Sequence, residues 1–252
     1  MACKGKCRLI IFSGPSGVGK TPLINALDRM YPDISESLEP LVLYNDRQPR
    51  PGERNGFDYH FRTTDEIELL RDNDRYIVLN VRDDLQALDV EELNNILQKH
   101  DVLFEGNPFV GTLLISEPRL ASVAQLSIFM SPLSKEEIAF FSGSAVQTSP
   151  ASLVKRIMER KLLRRTRHQK GELSSDDLRD IAVRAGSAYM EMEMAGYFDW
   201  VIPNHDGEDS ENWDAFYYPI GDARKALETF RSLLQGETPD HAERWDDKRP
   251  AD

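Results

Sequence analysis

The chain has 252 residues, 29% of them charged and 40% hydrophobic, with 31 Lys and Arg against 43 Asp and Glu. That is enough apolar material for one large domain with appendages, and a net charge of −12 argues against a general nucleic-acid coat, which would need Lys and Arg for the phosphates. Apolar runs fall far short of the roughly 20 residues that span a bilayer, so neither nucleic acid nor membrane is expected as a partner.

The basic start, Met1 to Arg8, precedes only a short apolar run, Leu9 to Phe12, which leads straight into a glycine-rich turn. No signal peptide is expected there. The two cysteines, Cys3 and Cys7, read as ordinary thiols in a reducing, cytoplasmic compartment.

Arg8 to Ser13 is a branched, apolar strand candidate, and Gly14 to Gly19 is a glycine-rich loop. Leu23, Ile24, Leu27 and Met30 then recur at helical spacing. Asp46 to Tyr59 holds too much Pro, Gly and Arg for a regular helix. A helix start at Thr63 or Thr64 is followed by a strand candidate at Tyr76 to Val81 and an amphipathic helix at Val90 to Lys99. Asp101 to Phe104 and Leu126 to Met130 read as buried strands, Ser134 to Phe141 as a helix, and Phe198 to Ile202 as the last strand. Ser142 to Ser152 and Pro203 to Pro219 read as insertions, and Ile220 to Leu234 as the final helix. Strands alternating with helices predict an α/β fold on a parallel sheet. Gly236 to Asp252 has little to bury and is expected to be a disordered tail.

Gly14-Pro-Ser-Gly-Val-Gly-Lys-Thr21 fits G-x-x-x-x-G-K-[ST] at every fixed position, between a strand and a helix candidate. The chemistry needs this pattern. Backbone N–H groups of Gly14, Ser16, Gly17, Val18 and Gly19 must approach phosphate oxygens closely, so side chains are kept small or absent. The helix that follows points its positive end at the same anion. Lys20 would reach the β- and γ-phosphates of ATP, and the Thr21 hydroxyl would ligate Mg²⁺. Pro22, in the first helical turn, is tolerated there.

A second constellation is Arg47-Gln-Pro-Arg-Pro-Gly-Glu-Arg-Asn-Gly-Phe-Asp-Tyr-His-Phe61. Arg47 and Arg50 in a proline-stiffened segment would clamp one phosphate through bidentate bonds. Tyr59 would add a hydroxyl, and Glu53 would orient an arginine.

Arg-x-Pro-Arg-x-Gly-Glu-x-x-Gly-x-Asp-Tyr-x-Phe, together with the phosphate loop, resembles the signature of guanylate kinases, P-loop enzymes that phosphorylate GMP. Asp101-Val-Leu-Phe-Glu105, Phe129-Met-Ser-Pro-Leu-Ser-Lys-Glu-Glu137 and Phe198-Asp-Trp-Val-Ile-Pro-Asn204 are similar to further family segments. The resemblance covers roughly residues 8 to 234. It implies a P-loop NTPase three-layer fold with a central parallel sheet, an acceptor-binding subdomain at about 41–97, a helical lid at about 142–179, and a core of 8–40, 98–140 and 180–235. It also implies that Arg47, Arg50 and Tyr59 grip the acceptor phosphate and that Asn204 lies near the nucleotide base.

The chain departs from the family after this signature. Where the family reads the guanine edge with an acidic and a small hydroxyl residue, here stands Tyr76-Ile-Val-Leu-Asn-Val-Arg-Asp-Asp-Leu-Gln-Ala-Leu-Asp89. Val81 falls near the acidic position, and Asn80, Arg82, Asp83 and Asp84 are polar alternatives. Glu105, at the end of an apolar strand, is a candidate carboxylate for the Mg²⁺ shell or the acceptor, and Asn107 stands where many family members have Asp.

Lys155 to Lys170 carries a local charge of +7 in an acidic chain, which suggests an anion site. Its candidates are Arg160, Arg164, Arg165 and Arg167, with Arg184 on the next helix. Of these, Arg164 and Arg184 join Lys20 as expected catalytic groups that neutralise the transferred phosphoryl oxygens. The expected activity is Mg²⁺-dependent transfer from ATP to a nucleoside monophosphate, GMP or dGMP first. A kinase for another nucleotide or phosphorylated small molecule, and a non-catalytic guanylate-kinase-like binding module, stand as alternatives. The sequence leaves the oligomeric state open.

Overall fold

A computed structural model of the protein describes residues 7–49, 52–81, 84–143 and 148–245. The first strand, β1 (Arg8–Ser13), buries Leu9, Ile10, Ile11 and Phe12 completely, as a central strand covered on both faces must. The glycine loop leads into α1 (Lys20–Met30), which buries Leu23, Ala26 and Leu27, and then into the short α2 (Pro32–Ser35). Three short strands follow: β2 (Leu38–Pro40), β3 (Tyr44–Asn45) and β4 (His60–Phe61). A capping box between Thr63 and Glu66 starts α3 (Thr64–Glu68). Next come β5 (Tyr76–Val81), β6 (Asp84–Asp89), α4 (Val90–Ile96) and β7 (Asp101–Gly106). The chain continues through α5 (Pro108–Ser116), β8 (Ala124–Ser131), α6 (Lys135–Ser142), α7 (Pro150–Lys170) and α8 (Ser175–Glu193). It ends with β9 (Trp200–Pro203) and α9 (Gly221–Leu234).

The central sheet has five strands in the order β2-β7-β1-β8-β9. Its outer pairs are parallel, with Leu38 opposite Asp101 and Ile128 opposite Trp200. This is the parallel α/β architecture expected from the alternation of elements.

Besides the short α2, β2, β3 and β4, two longer elements were not anticipated. Strand β6 buries Leu85, Gln86, Ala87 and Leu88 in succession, so no polar–apolar alternation marks it. Helix α5 is almost uniformly apolar, which conceals its helical period.

The chain divides into two compact units. One comprises Met1–Ile11, Ser37–Glu105 and Ser116–Leu126. It contains a second sheet, ordered β4-β3-β6-β5, in which β5 and β6 form an antiparallel hairpin. Ile67 of α3 packs with Leu85, Ala87, Tyr44, Leu70 and Val78 on one face of that sheet. Cys7 here is buried and disulfide-bonded, against the expectation of ordinary thiols; Cys3 lies outside the described residues.

The other unit comprises Phe12–Glu36, Gly106–Ile115 and Ser127–Asp252. Its core includes the ring pairs Phe12–Phe230, with centroids 4.6 Å apart, and Phe129–Phe198, at 5.3 Å. Part of the expected tail is docked. Glu243 and Val201 exchange two backbone hydrogen bonds of 2.8 Å, and the Arg244 guanidinium stacks 4.2 Å from the Trp200 ring centroid. Edge strand β9 has unpaired backbone groups to offer, and Glu243 takes them. Residues 246–252 lie outside the described residues.

Candidate active site

The phosphate loop is held from inside by its own lysine. Lys20 is buried, and its Nζ donates to the carbonyl oxygens of Gly14, at 2.8 Å, and Pro15, at 3.1 Å. This fixes the ammonium group where the loop closes, at the N-terminus of α1. Gly17 and Gly19 have φ of +84° and +110°, which only glycine adopts without strain. A Cβ on Gly19 would come within 2.7 Å of both Asn204 Nδ2 and the Asp206 carbonyl. The Thr21 side chain is exposed on the first turn of α1. A glycine cradle, one buried ammonium and a neighbouring hydroxyl fit a polyphosphate with a hard divalent cation.

A loop from the far end of the chain backs this cradle. Asn204 is fully buried, and its Nδ2 donates to Val18 O at 2.8 Å and Asp206 O at 2.6 Å. The Glu208 N–H donates to Gly17 O at 3.2 Å. The buried Trp213 donates its indole N–H to the carbonyls of Asp206 and Gly207, both at 3.0 Å. The Asp206 carboxylate accepts from Ser210 Oγ, Asn212 Nδ2 and Ala223 N. The segment expected to be a long inserted loop is therefore an ordered support for residues 17–19. Asn204 was expected near the nucleotide base rather than as a support of this loop; Asp206, Glu208 and Trp213 were not anticipated. A lone tryptophan in an acidic stretch was the available signal, because such a side chain seldom stays in water.

Helix α7 rests on the same loop. Leu162 Cδ2 lies 3.0 Å from where a Cβ on Gly17 would be. Lys161, also buried, donates from Nζ to His205 O at 2.7 Å. Burial holds its ammonium below the ordinary lysine range, opposed by Asp209 and Asp206. Arg164 is exposed and faces Asp209 at 3.7 Å, while Arg165 forms an ion pair with Glu208. Arg184, on α8, is buried and pairs with Asp180 through Nε at 3.0 Å and NH2 at 2.5 Å. Arg164, Arg165 and Arg184 thus meet acidic partners, a pairing that the positive run alone did not reveal.

The acceptor motif forms a cluster in the first unit. Arg47 makes a bidentate pair with Glu53, at 2.6 and 2.7 Å, and its guanidinium lies 5.1 Å from the Tyr59 ring centroid and 5.5 Å from that of Phe61. Burial alone would push the guanidinium down; Glu53, with Tyr59 and Asp84 nearby, more than offsets this and holds it above its ordinary value. Arg47, Glu53 and Tyr59 are therefore brought together. Arg50, Arg82 and Asp83 lie outside the described residues. Asn80 is exposed beside Arg71, and Asp84 is partly buried opposite Val81 in the hairpin. Glu105 is exposed near the end of β7. Asn107 caps the start of α5, its Oδ1 accepting from Phe109 N at 2.8 Å.

Comparison with known proteins matches residues 6–161 to the family model described as Guanylate kinase. The chain is 31% identical over 157 residues to a guanylate kinase of Synechococcus sp. (strain JA-3-3Ab), covering 60% of this chain and 67% of that protein. It is 27% identical over 209 residues to a guanylate kinase of Rickettsia bellii (strain RML369-C), covering 82% and 91%. Other guanylate kinases match over shorter stretches, 29% to 32% of their length. Among solved structures, guanylate kinase from Anaplasma phagocytophilum superposes with a TM-score of 0.54 at 16% identity, covering 92% of this chain and 87% of that one. At that identity the superposition speaks for the fold, while the sequence matches, with a family model over more than half of the chain, carry the conclusion: the chain belongs to the guanylate kinase family.

Proposed function

We propose that the protein is an ATP-dependent nucleoside monophosphate kinase that converts GMP or dGMP to the diphosphate. The observation that carries this reading is the intact phosphate loop, with Lys20 buried and held by Gly14 and Pro15, in a chain of this family. Gly14, Ser16, Gly17, Val18, Gly19, Lys20 and Thr21 hold the donor phosphates, with Asn204 near the donor base. Thr21 would hold Mg²⁺, which would supply neutralisation of the charge developing on the phosphoryl oxygens. Arg47, Arg50, Glu53 and Tyr59 are assigned to the acceptor-phosphate grip, and Glu105 to acceptor binding. Lys20, Arg164 and Arg184 stabilise the phosphoryl group in transfer, and catalysis is positioning and charge neutralisation.

In the same reading, residues 41–97 bind the acceptor, and about 142–179 act as a lid that excludes water. A coupled ADP-release assay with Mg²⁺-ATP against GMP, dGMP, AMP, CMP, UMP and dTMP tests the proposal. Selective turnover of GMP and dGMP supports it, and binding of ATP without turnover of any acceptor overturns it.

A different acceptor within the kinase class is the second reading. It is favoured by hairpin β5–β6, where Leu79, Val81, Leu85 and Leu88 are buried in the segment the family uses to read guanine.

A further inference from the structure

The sheet β4-β3-β6-β5 has two unlike faces. Tyr44, Ala87 and Val78 stand opposite one another across β3, β6 and β5 and pack with Ile67 and Leu70. Side chains alternate along a strand and register partners share a face. The next row, Phe61, Asn45, Gln86 and Leu79, therefore occupies the opposite face. That is also the face of the phosphate grip, because the Arg47 guanidinium stacks on Phe61.

Two buried amides sit side by side in this row. Asn45 is 0% exposed; its Oδ1 accepts the Arg47 N–H at 3.0 Å, and its Nδ2 has no partner among the described residues. Gln86 is 6% exposed and stands in register with Asn45 on this face. A buried donor left unpaired costs free energy, so the Asn45 amide beside a phosphate grip is accounted for when a ligand completes it. The neighbouring positions on β5, Leu79 and Val81, are apolar and buried.

We infer that Gln86, with Asn45 beside it, reads the base of the acceptor, and that it takes 6-oxopurine monophosphates with or without a 2-amino group. This rests on the nucleoside monophosphate reading of the acceptor site. A carboxylate offers only acceptors, and so would reward the N1–H and 2-amino donors of guanine together. An amide offers one acceptor and one donor, which pair with N1–H and O6 and leave the 2-amino group unread. GMP and IMP are then near-equivalent ligands.

The test is calorimetric titration of GMP and IMP, without ATP, into the full chain and its Gln86→Glu and Gln86→Met variants, with turnover measured alongside. Met keeps the shape and removes the amide; thermal melts check that each variant is folded. The expected result is GMP and IMP affinities within about threefold in the parent chain and a shift of at least about tenfold toward GMP in Gln86→Glu. Gln86→Met should weaken both ligands by about tenfold or more, with ATP affinity unchanged. Unchanged affinities in Gln86→Met, or a parent chain that already prefers GMP by more than about thirtyfold, would overturn the assignment. Binding without turnover would sink the kinase reading and leave Gln86 as the base reader. Binding of neither nucleotide would overturn the base assignment whatever the turnover shows.

Discussion

The Arg47 guanidinium lies edge to edge with the Glu53 carboxylate, NH1 to Oε2 at 2.6 Å and NH2 to Oε1 at 2.7 Å. The acid fixes the plane of the guanidinium, and in the proposed reading that oriented cation meets the acceptor phosphate. Arg47→Ala should raise the KM for the acceptor about tenfold or more, the scale of a lost charge-assisted hydrogen bond, with little change in the KM for ATP. Glu53→Gln should have the same direction and a smaller size. Steady-state kinetics with each substrate varied in turn checks both, and equal effects on the two KM values would contradict the grip.

In the proposed reading Lys20 serves the donor side. Lys20→Ala should lower kcat by about a hundredfold or more and change the melting temperature little, since its hydrogen bonds to Gly14 O and Pro15 O stay within the loop. ADP release and a thermal melt on the same sample separate the two effects. Residual turnover near that of the parent chain would remove Lys20 from the mechanism.

Trp213 supports the phosphate loop from behind. Trp213→Phe keeps most of the buried ring and loses the N–H that bonds Asp206 O and Gly207 O. A stability loss of about 1–2 kcal/mol in urea unfolding is expected, with a raised KM for ATP and an unchanged KM for the acceptor. An unaltered ATP KM would reduce Trp213 to a packing residue.

Gly19→Ala should damage the loop more severely. The residue sits at φ +110°, and a methyl group would meet Asp206 O at 2.7 Å. Destabilisation of about 2 kcal/mol or more and loss of ATP binding are expected; titration calorimetry and thermal melts would detect each.

His205 gives the fold a pH dependence. Its Nδ1 lies 2.6 Å from Asp222 and its Nε2 2.9 Å from Glu137. Burial works against the imidazolium, and the two carboxylates more than offset it, so its pKa is raised. A raised folded-state pKa adds stability below the unfolded value of about 6.5, and that stability is lost as pH rises through the folded value. The melting temperature should therefore fall as pH climbs through and above the ordinary histidine range, and His205→Asn should flatten that slope. A slope unchanged by the substitution would assign it to other groups.

Much of this protein is legible along the chain. The run Leu9 to Phe12, the pattern from Gly14 to Thr21 and the spacing of Arg47, Glu53 and Tyr59 are local features. Strand, cradle and phosphate grip depend on neighbours in sequence, so their chemistry can be read in order. What the sequence by itself determined is thus the fold class, the phosphate loop and the family. Only the tertiary structure decided that Asp206, Glu208 and Trp213 support residues 17–19, that Lys161 and Arg165 of α7 meet that support, and that Asn45 and Gln86 stand together beside Arg47. Those contacts join residues distant in the chain, and their partners are set by strand register and helix packing, which no local pattern of residue types encodes.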